Sequence, residues 1–99
     1  MYKSDIIRAI SQFNGDLAAL RSEMRALLRI EEDTTAVLDG VHFGLTEGGW
    51  EPVGPTTKRG AAVFRLGYRR LLVDCQPHKI MVLLVDEQDR PVDSFSLHL

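Results

Sequence analysis

Apolar residues near the amino terminus recur at intervals that alternate between four and three positions. The series has seven members and no gap: Ile6, Ile10, Phe13, Leu17, Leu20, Met24 and Leu27. Side chains at these intervals line up along one side of an α-helix, whereas a strand would place an apolar residue at every second position. The sequence therefore predicts a long amphipathic helix, around whose apolar side the rest of the chain must fold.

Polar residues mark the ends of this helix. Ser4 is a favourable N-cap, and the run Glu31-Glu32-Asp33 would place acidic charge at the negative end of the helix dipole, so a helix is predicted over about residues 4–31. Asn14-Gly15-Asp16 could instead end one helix and start another. Because the apolar spacing continues across Gly15, and a glycine inside a helix costs only about 1 kcal/mol, one continuous helix bent at Gly15 is the preferred prediction.

The apolar side of the predicted helix has two candidate partners. Ile7, Leu28 and Ile30 make it wider than the seam of a two-stranded coiled coil, which favours packing on the chain's own sheet. The series also spans about three heptads, the least that a coiled coil needs, so pairing of helices in a dimer is the alternative. The sequence leaves both open.

From Val41 onward the apolar residues follow a period of two, which is typical of strands. Val41, Phe43 and Leu45 alternate with His42, Gly44 and Thr46. An antiparallel meander of four to five strands is therefore predicted over about residues 38–99, interrupted by a long Gly/Pro-rich loop at 47–60. The alternation changes parity near Arg69-Arg70, which indicates a bulge or a bend between two short strands. The predicted fold class is α+β.

The segment Ile80–Val85 is apolar at every position. Such a run is expected of an interior strand that is covered on both faces. The flanking strands, however, supply one polar face, so half of these side chains would lie as an apolar strip within it. A strip of this kind is typical of a surface that a partner covers, and a homodimer or another protein is expected to cover it.

The composition is that of one globular domain spanning residues 1–99. The formal net charge is −2, with 44% hydrophobic and 26% charged residues, which excludes an intrinsically disordered chain. There is no run of about 18 apolar residues that would cross a membrane, and no apolar signal segment at the amino terminus. Cys75 is the only cysteine, so an internal disulfide is excluded and a reducing, cytoplasmic location is expected.

No motif indicates catalysis or a cofactor. Cys75 lies on an apolar row, and Ser94, Ser96 and His98 alternate along one strand, where such neighbours point the same way without forming a triad. Cys75-x-x-His78 supplies only half of a zinc site. We therefore expect a protein that is not an enzyme, with no catalytic residue, no metal ligand and no cofactor.

Charge is distributed unevenly along the strands. Basic residues without an intervening acid cluster at Lys58, Arg59, Arg65, Arg69 and Arg70, and the carboxyl-terminal part is mostly acidic. The two blocks can pair across adjacent strands, or the basic block can contact a partner. Trp50, in the Gly/Pro-rich loop, either packs back on the core or anchors a partner.

The predicted function is non-catalytic binding of another protein, as an adaptor, inhibitor or immunity-type factor, by a homodimer. Its predicted contact surface joins the Trp50 loop to the face that carries Arg65 and Arg69. Binding of nucleic acid by the stretch Lys58–Arg70 is the alternative, although the acidic total is unlike the strongly basic domains that usually bind nucleic acid.

Overall fold

The computed structural model describes residues 2–31, 33–54 and 61–98. Over these residues, three helices precede five strands: α1 Lys3–Ile10, α2 Leu17–Ile30, α3 Thr34–Glu47, β1 Glu51–Pro52, β2 Ala61–Leu66, β3 Arg69–Gln76, β4 Lys79–Val85 and β5 Pro91–His98. The strands form one antiparallel sheet in the order β1-β2-β3-β4-β5. The predicted α+β class and the antiparallel meander are confirmed, and the helices pack on one face of this sheet.

The prediction of one long helix over residues 4–31 is wrong, because the chain breaks between α1 and α2. Gly15 has a φ of +114°, a conformation that is open to glycine but strained for other residues. Asp16 then caps α2, since its carboxylate accepts hydrogen bonds from the backbone N–H groups of Ala18 at 3.1 Å and Ala19 at 3.4 Å. Such a cap is worth about 1 kcal/mol, which the continuous helix would lose.

The alternating spacing survives the break because both helices face the same core. All seven residues of the series, from Ile6 to Leu27, are buried within the protomer. Of the two alternatives for the apolar side, packing within the chain is therefore the one that the structure adopts.

The strand predicted from Val41 is wrong, and the segment is the helix α3. Asp33 caps it by accepting a hydrogen bond from the backbone N–H of Thr35 at 2.9 Å. The buried residues Val37, Val41 and Leu45 are four positions apart, which is a helical spacing. Phe43, which completed the apparent alternation, is 57% exposed. The sheet therefore begins at Glu51 rather than near residue 38.

Glycines on one side of α3 let α1 approach its backbone. A Cβ atom at Gly44 would lie 2.9 Å from both Ile10 Cβ and the carbonyl oxygen of Ile7, and one at Gly48 would overlap the carbonyl oxygen of Ser11. At Gly40, one turn earlier, a Cβ atom would lie 2.9 Å from the end of the Leu27 side chain and in ordinary contact, at 3.9 Å, with the Ile7 side chain. The close approach of α1 and its end to α3 therefore depends on the missing side chains at Gly44 and Gly48.

The change of parity near Arg69-Arg70 comes from a turn, the second of the two predicted causes. Gly67 and Tyr68 form a tight turn between β2 and β3, with Gly67 at a φ of +60°. Of the predicted loop 47–60, Glu47 ends α3 and Glu51–Pro52 form β1, which pairs with β2. Residues 55–60 of that loop lie outside the described residues.

Candidate protein-binding surfaces

The sheet has one covered face and one open face. The covered face lies under the helices and carries the buried strand residues Ala62, Phe64, Leu71, Val73, Cys75, Ile80, Val82, Leu84 and Leu97. The open face carries the residues of opposite parity, and Val63, Leu72 and Leu83 lie in one row across β2, β3 and β4. Met81 is on the same face of β4 and is 41% exposed.

We call Val63, Leu72, Met81 and Leu83 the open-face strip. Val63, Leu72 and Leu83 are half-buried by their neighbours in the sheet, and no described helix or strand packs over them. The interior position of β4, between β3 and β5, is confirmed. Met81 and Leu83 of β4 face outward, and no described part of the chain covers them, so the cover that was expected from a partner stays a prediction.

Charged residues adjoin the open-face strip along β3. Arg70 and Asp74 flank Leu72 on the same face, two positions to either side. Arg70 forms an ion pair with Asp89, in the hairpin loop between β4 and β5. Asp74 Oδ2 accepts a hydrogen bond from Gln76 Nε2 at 3.0 Å, whereas Asp74 Oδ1 is buried without a described donor. One acceptor at the strip is therefore left unsatisfied, which is uncommon for a buried oxygen.

The predicted face containing both Arg65 and Arg69 is not formed, because the turn at Gly67-Tyr68 places them on opposite faces. Arg65 is paired with Arg70 across β2 and β3 on the open face, and its Nη2 lies 3.2 Å from Glu51 Oε2. Arg69 has the parity of the covered face, and its Nη1 donates to the carbonyl oxygen of Asn14 at 3.1 Å. Arg69 therefore holds the connection between α1 and α2 against the end of the sheet.

Lys58 and Arg59, the other two members of the predicted basic surface, lie outside the described residues. Within the described chain, Arg65, Arg69 and Arg70 each have a partner. Of these three contacts, the one between Arg70 and Asp89 joins the basic stretch to the acidic carboxyl-terminal part, as the alternative to partner binding predicted. Arg65 instead pairs with Glu51 of β1, and Arg69 contacts the connection between α1 and α2.

Trp50 packs back on the core rather than presenting its ring to solvent. It is 2% exposed, its ring stacks on that of Phe13 with centroids 5.3 Å apart, and its Nε1 donates to the Phe13 carbonyl oxygen at 3.2 Å. A buried tryptophan normally finds a partner for its N–H in this way. Trp50 therefore joins the connection after α3 to the end of α1, and it is not an accessible anchor in this structure.

The candidate nucleophile and metal ligands are dispersed. Cys75 is buried in the core, and burial, followed by the charge of Asp74, raises the pKa of its thiol to about 12, so the thiol stays protonated at neutral pH. His78 is exposed in the turn after β3, and the His42 ring, on α3, contacts that of Phe64 edge-on at 5.4 Å. Among the described residues, no three His, Cys, Asp or Glu side chains are grouped as a metal site would require.

Sequence reasoning missed a second basic surface. Arg21, Arg25 and Arg29 lie on the side of α2 next to β5, where they line a groove with Leu28 and with residues 96–98 of β5. Their spacing of four was visible in the sequence as a helical row. The position of that row beside β5 is a contact between distant parts of the chain, and no local pattern indicated it.

Comparisons with models of protein families, with curated proteins and with solved structures find no match. Within the described part of the chain, no helix has both the length and the apolar character to cross a bilayer.

Proposed function

We propose that this protein is a non-catalytic protein-binding module that acts as a homodimer through the open-face strip. The observation that carries the proposal is the uncovered apolar row on the interior strands β3 and β4, where Leu72 and Leu83 lie side by side. Contiguous apolar side chains at the centre of a sheet are typical of a surface that associates with another protein. Burial of such side chains stabilises an association in proportion to the apolar area removed from water.

The charges beside the strip support a second copy of the chain as its occupant. A two-fold axis that passes at Leu72 and runs across the strands would bring Arg70 opposite Asp74 of the partner subunit, and the symmetry repeats this pair. Leu72 would meet its own copy at the centre, as a self-complementary interface requires.

Two features support a binding function rather than a catalytic one. The thiol of Cys75, the one cysteine of the chain, is buried and has a raised pKa, which makes it a poor nucleophile and a poor metal ligand. The three histidines lie on α3, in the β3–β4 turn and at the end of β5, so they converge on no common site. Binding of nucleic acid by the stretch Lys58–Arg70 has less support, because Arg65 and Arg69 lie on opposite faces of the sheet. Each is also engaged within the chain, Arg65 by a carboxylate and Arg69 by a backbone carbonyl oxygen.

The proposal is tested by measuring the molar mass of the purified protein by light scattering over a range of concentrations. Leu72→Gln should weaken the dimer about 30-fold, because the half-buried Leu72 would lose roughly 1 kcal/mol of further burial in each subunit. Phe43→Gln is the matched control, since Phe43 is 57% exposed but lies on α3, away from the open face. A wild-type protein that stays monomeric at high concentration, or a Leu72→Gln variant that dimerises as well as Phe43→Gln, would contradict the homodimer.

A further inference from the structure

The side of α2 that adjoins β5 carries a row of arginines with no partner in the described chain. Arg21, Arg25 and Arg29 are four residues apart, so they lie one above another on the helix. They line a groove of about 370 Å³ together with Leu28 and with residues 96–98 of β5. No described carboxylate lies within ion-pairing distance of any of the three, whereas Arg65, Arg70 and Arg90 each have one.

The three positive charges of this row repel one another. Like charges four residues apart on a helix are unfavourable, and the row contains two such pairs. An anionic ligand in the groove would be attracted by each arginine, and this attraction would offset the mutual repulsion of the three charges. The groove is therefore electrostatically complementary to a negatively charged occupant.

The other wall of the groove is an open sheet edge. β5 is the last strand of the sheet and pairs only with β4 among the described strands. At such an edge, the N–H and C=O groups of alternate residues point away from the sheet and can pair with an added strand. The backbone N–H of Ser94 already donates to Asp93 Oδ1 at 2.8 Å. No described side chain forms a hydrogen bond with the backbone of residues 95–98.

We propose that the groove between α2 and β5 binds an extended acidic segment of a partner protein, which adds to β5 as a further strand. The partner's backbone would pair with the outer edge of β5, and its carboxylates would contact the arginine row. This inference rests on the proposed protein-binding function and gives it a partner class, but it uses a surface separate from the open-face strip.

The spacing of the arginines matches acidic residues at alternate positions of a strand. Residues four apart on a helix are separated by about 6.0 Å along its axis, and residues two apart on a strand by about 6.8 Å. Arg21 and Arg29 are thus about 12 Å apart along α2, close to the roughly 13.6 Å between the first and fifth residues of a strand. An acidic residue at every second position would therefore reach each arginine in turn, while the intervening side chains would point to the opposite face of the added strand, away from α2.

The test measures binding of a short fluorescent peptide of alternating Glu and Thr, with blocked ends, by fluorescence anisotropy. The triple variant Arg21→Gln/Arg25→Gln/Arg29→Gln should bind roughly three- to hundredfold more weakly, because each of the three lost exposed ion pairs is worth about 0.2–1 kcal/mol. Arg8→Gln is the matched control, because Arg8 is an exposed arginine on α1. A peptide of alternating Gln and Thr should bind more weakly than the acidic peptide by a similar factor.

Hydrogen exchange of the backbone amides tests the added strand. Bound peptide should slow exchange in residues 94–98, and N-methylation of alternate peptide residues should abolish both this protection and the binding. Equal affinity of the wild type and the triple variant, binding without protection of β5, or equally tight binding of an oligothymidylate of the same charge would each overturn the proposal.

The outcomes separate this inference from the homodimer. Leu72→Gln should bind the acidic peptide with unchanged affinity, because Leu72 lies on β3, away from the groove. If the wild type is monomeric and binds the peptide at β5, the homodimer proposal is refuted and the proposed peptide site is supported. If the wild type is a dimer that does not bind the peptide, the proposed peptide site alone is refuted.

Discussion

Gly44→Ala tests whether the close approach of α1 to α3 stabilises the fold. The added Cβ would lie 2.9 Å from Ile10 Cβ and from the Ile7 carbonyl oxygen, whereas ordinary contact begins at 3.4 Å, so α1 must move by about 0.5 Å. Overpacking of this kind costs about 1–3 kcal/mol, and the better helix propensity of alanine returns about 1 kcal/mol. We expect a net loss of about 1 kcal/mol, which corresponds to a fall in Tm of roughly 4–8 °C.

Gly40→Ala is the matched control on the same side of α3. Its nearest contact is Leu27 Cδ2 at 2.9 Å, the end of a side chain that can rotate, so the propensity gain should dominate and stability should stay equal or rise by up to about 1 kcal/mol. Thermal and urea unfolding, followed by circular dichroism, measures both variants. The close approach of α1 to α3 at Gly44 would be refuted as a stabilising contact if Gly44→Ala were at least as stable as the wild type. It would also be refuted if Gly40→Ala were less stable than Gly44→Ala.

Two further predictions concern ionisable groups. The backbone N–H of Arg90, then that of Gln88 and the Arg90 charge, lower the pKa of Asp86. The wild type should therefore lose stability as pH falls from about 4 through the depressed pKa, and Asp86→Asn should flatten this part of the urea-midpoint profile. An equally steep profile in Asp86→Asn would contradict this. The Cys75 thiol, with a pKa of about 12, should react at pH 8 roughly a thousandfold more slowly with an aromatic disulfide reagent than a free thiol, and unfolding in urea should remove the difference. Fast labelling of the native protein would show that Cys75 is accessible and its pKa unshifted.

The helical part of the fold shows what sequence spacing can and cannot decide. The series from Ile6 to Leu27 identified the buried side of α1 and α2 correctly, because burial depends only on which residues face the core. The same series could not reveal the break at Gly15, since two helices facing one core preserve the register. The break is made by the positive φ of Gly15 and by the cap that Asp16 forms on α2. Neither of these local features changes which residues face the core.

The misassigned α3 shows how short an alternating pattern can be and still mislead. Val41, Phe43 and Leu45 fit a strand over five residues, but Val41 and Leu45 equally fit a helix. Extending the window back to Val37, and treating Asp33 as a cap, would have favoured the helix. Asp33, the last residue of the acidic run that indicated the end of the preceding helix, is also the cap of α3.

The candidate surfaces were predictable to different degrees. The apolar run Ile80–Val85 indicated that β4 has apolar side chains on both faces, and Met81 and Leu83 do lie on the open face. The prediction that Arg65 and Arg69 share one face was wrong, because a turn lies between them. The groove beside Arg21, Arg25 and Arg29 depends on how α2 docks on β5, which is a tertiary contact.

The stacking of Trp50 on Phe13 gives the protein an internal optical probe. The chain contains one tryptophan, and it lies where the connection after α3 touches the connection after α1. Its emission spectrum should therefore change when the helices separate from one another on unfolding, whereas association through the open-face strip should leave the spectrum unchanged. Ultraviolet fluorescence can thus distinguish unfolding of the core from dimerisation in a single unlabelled sample.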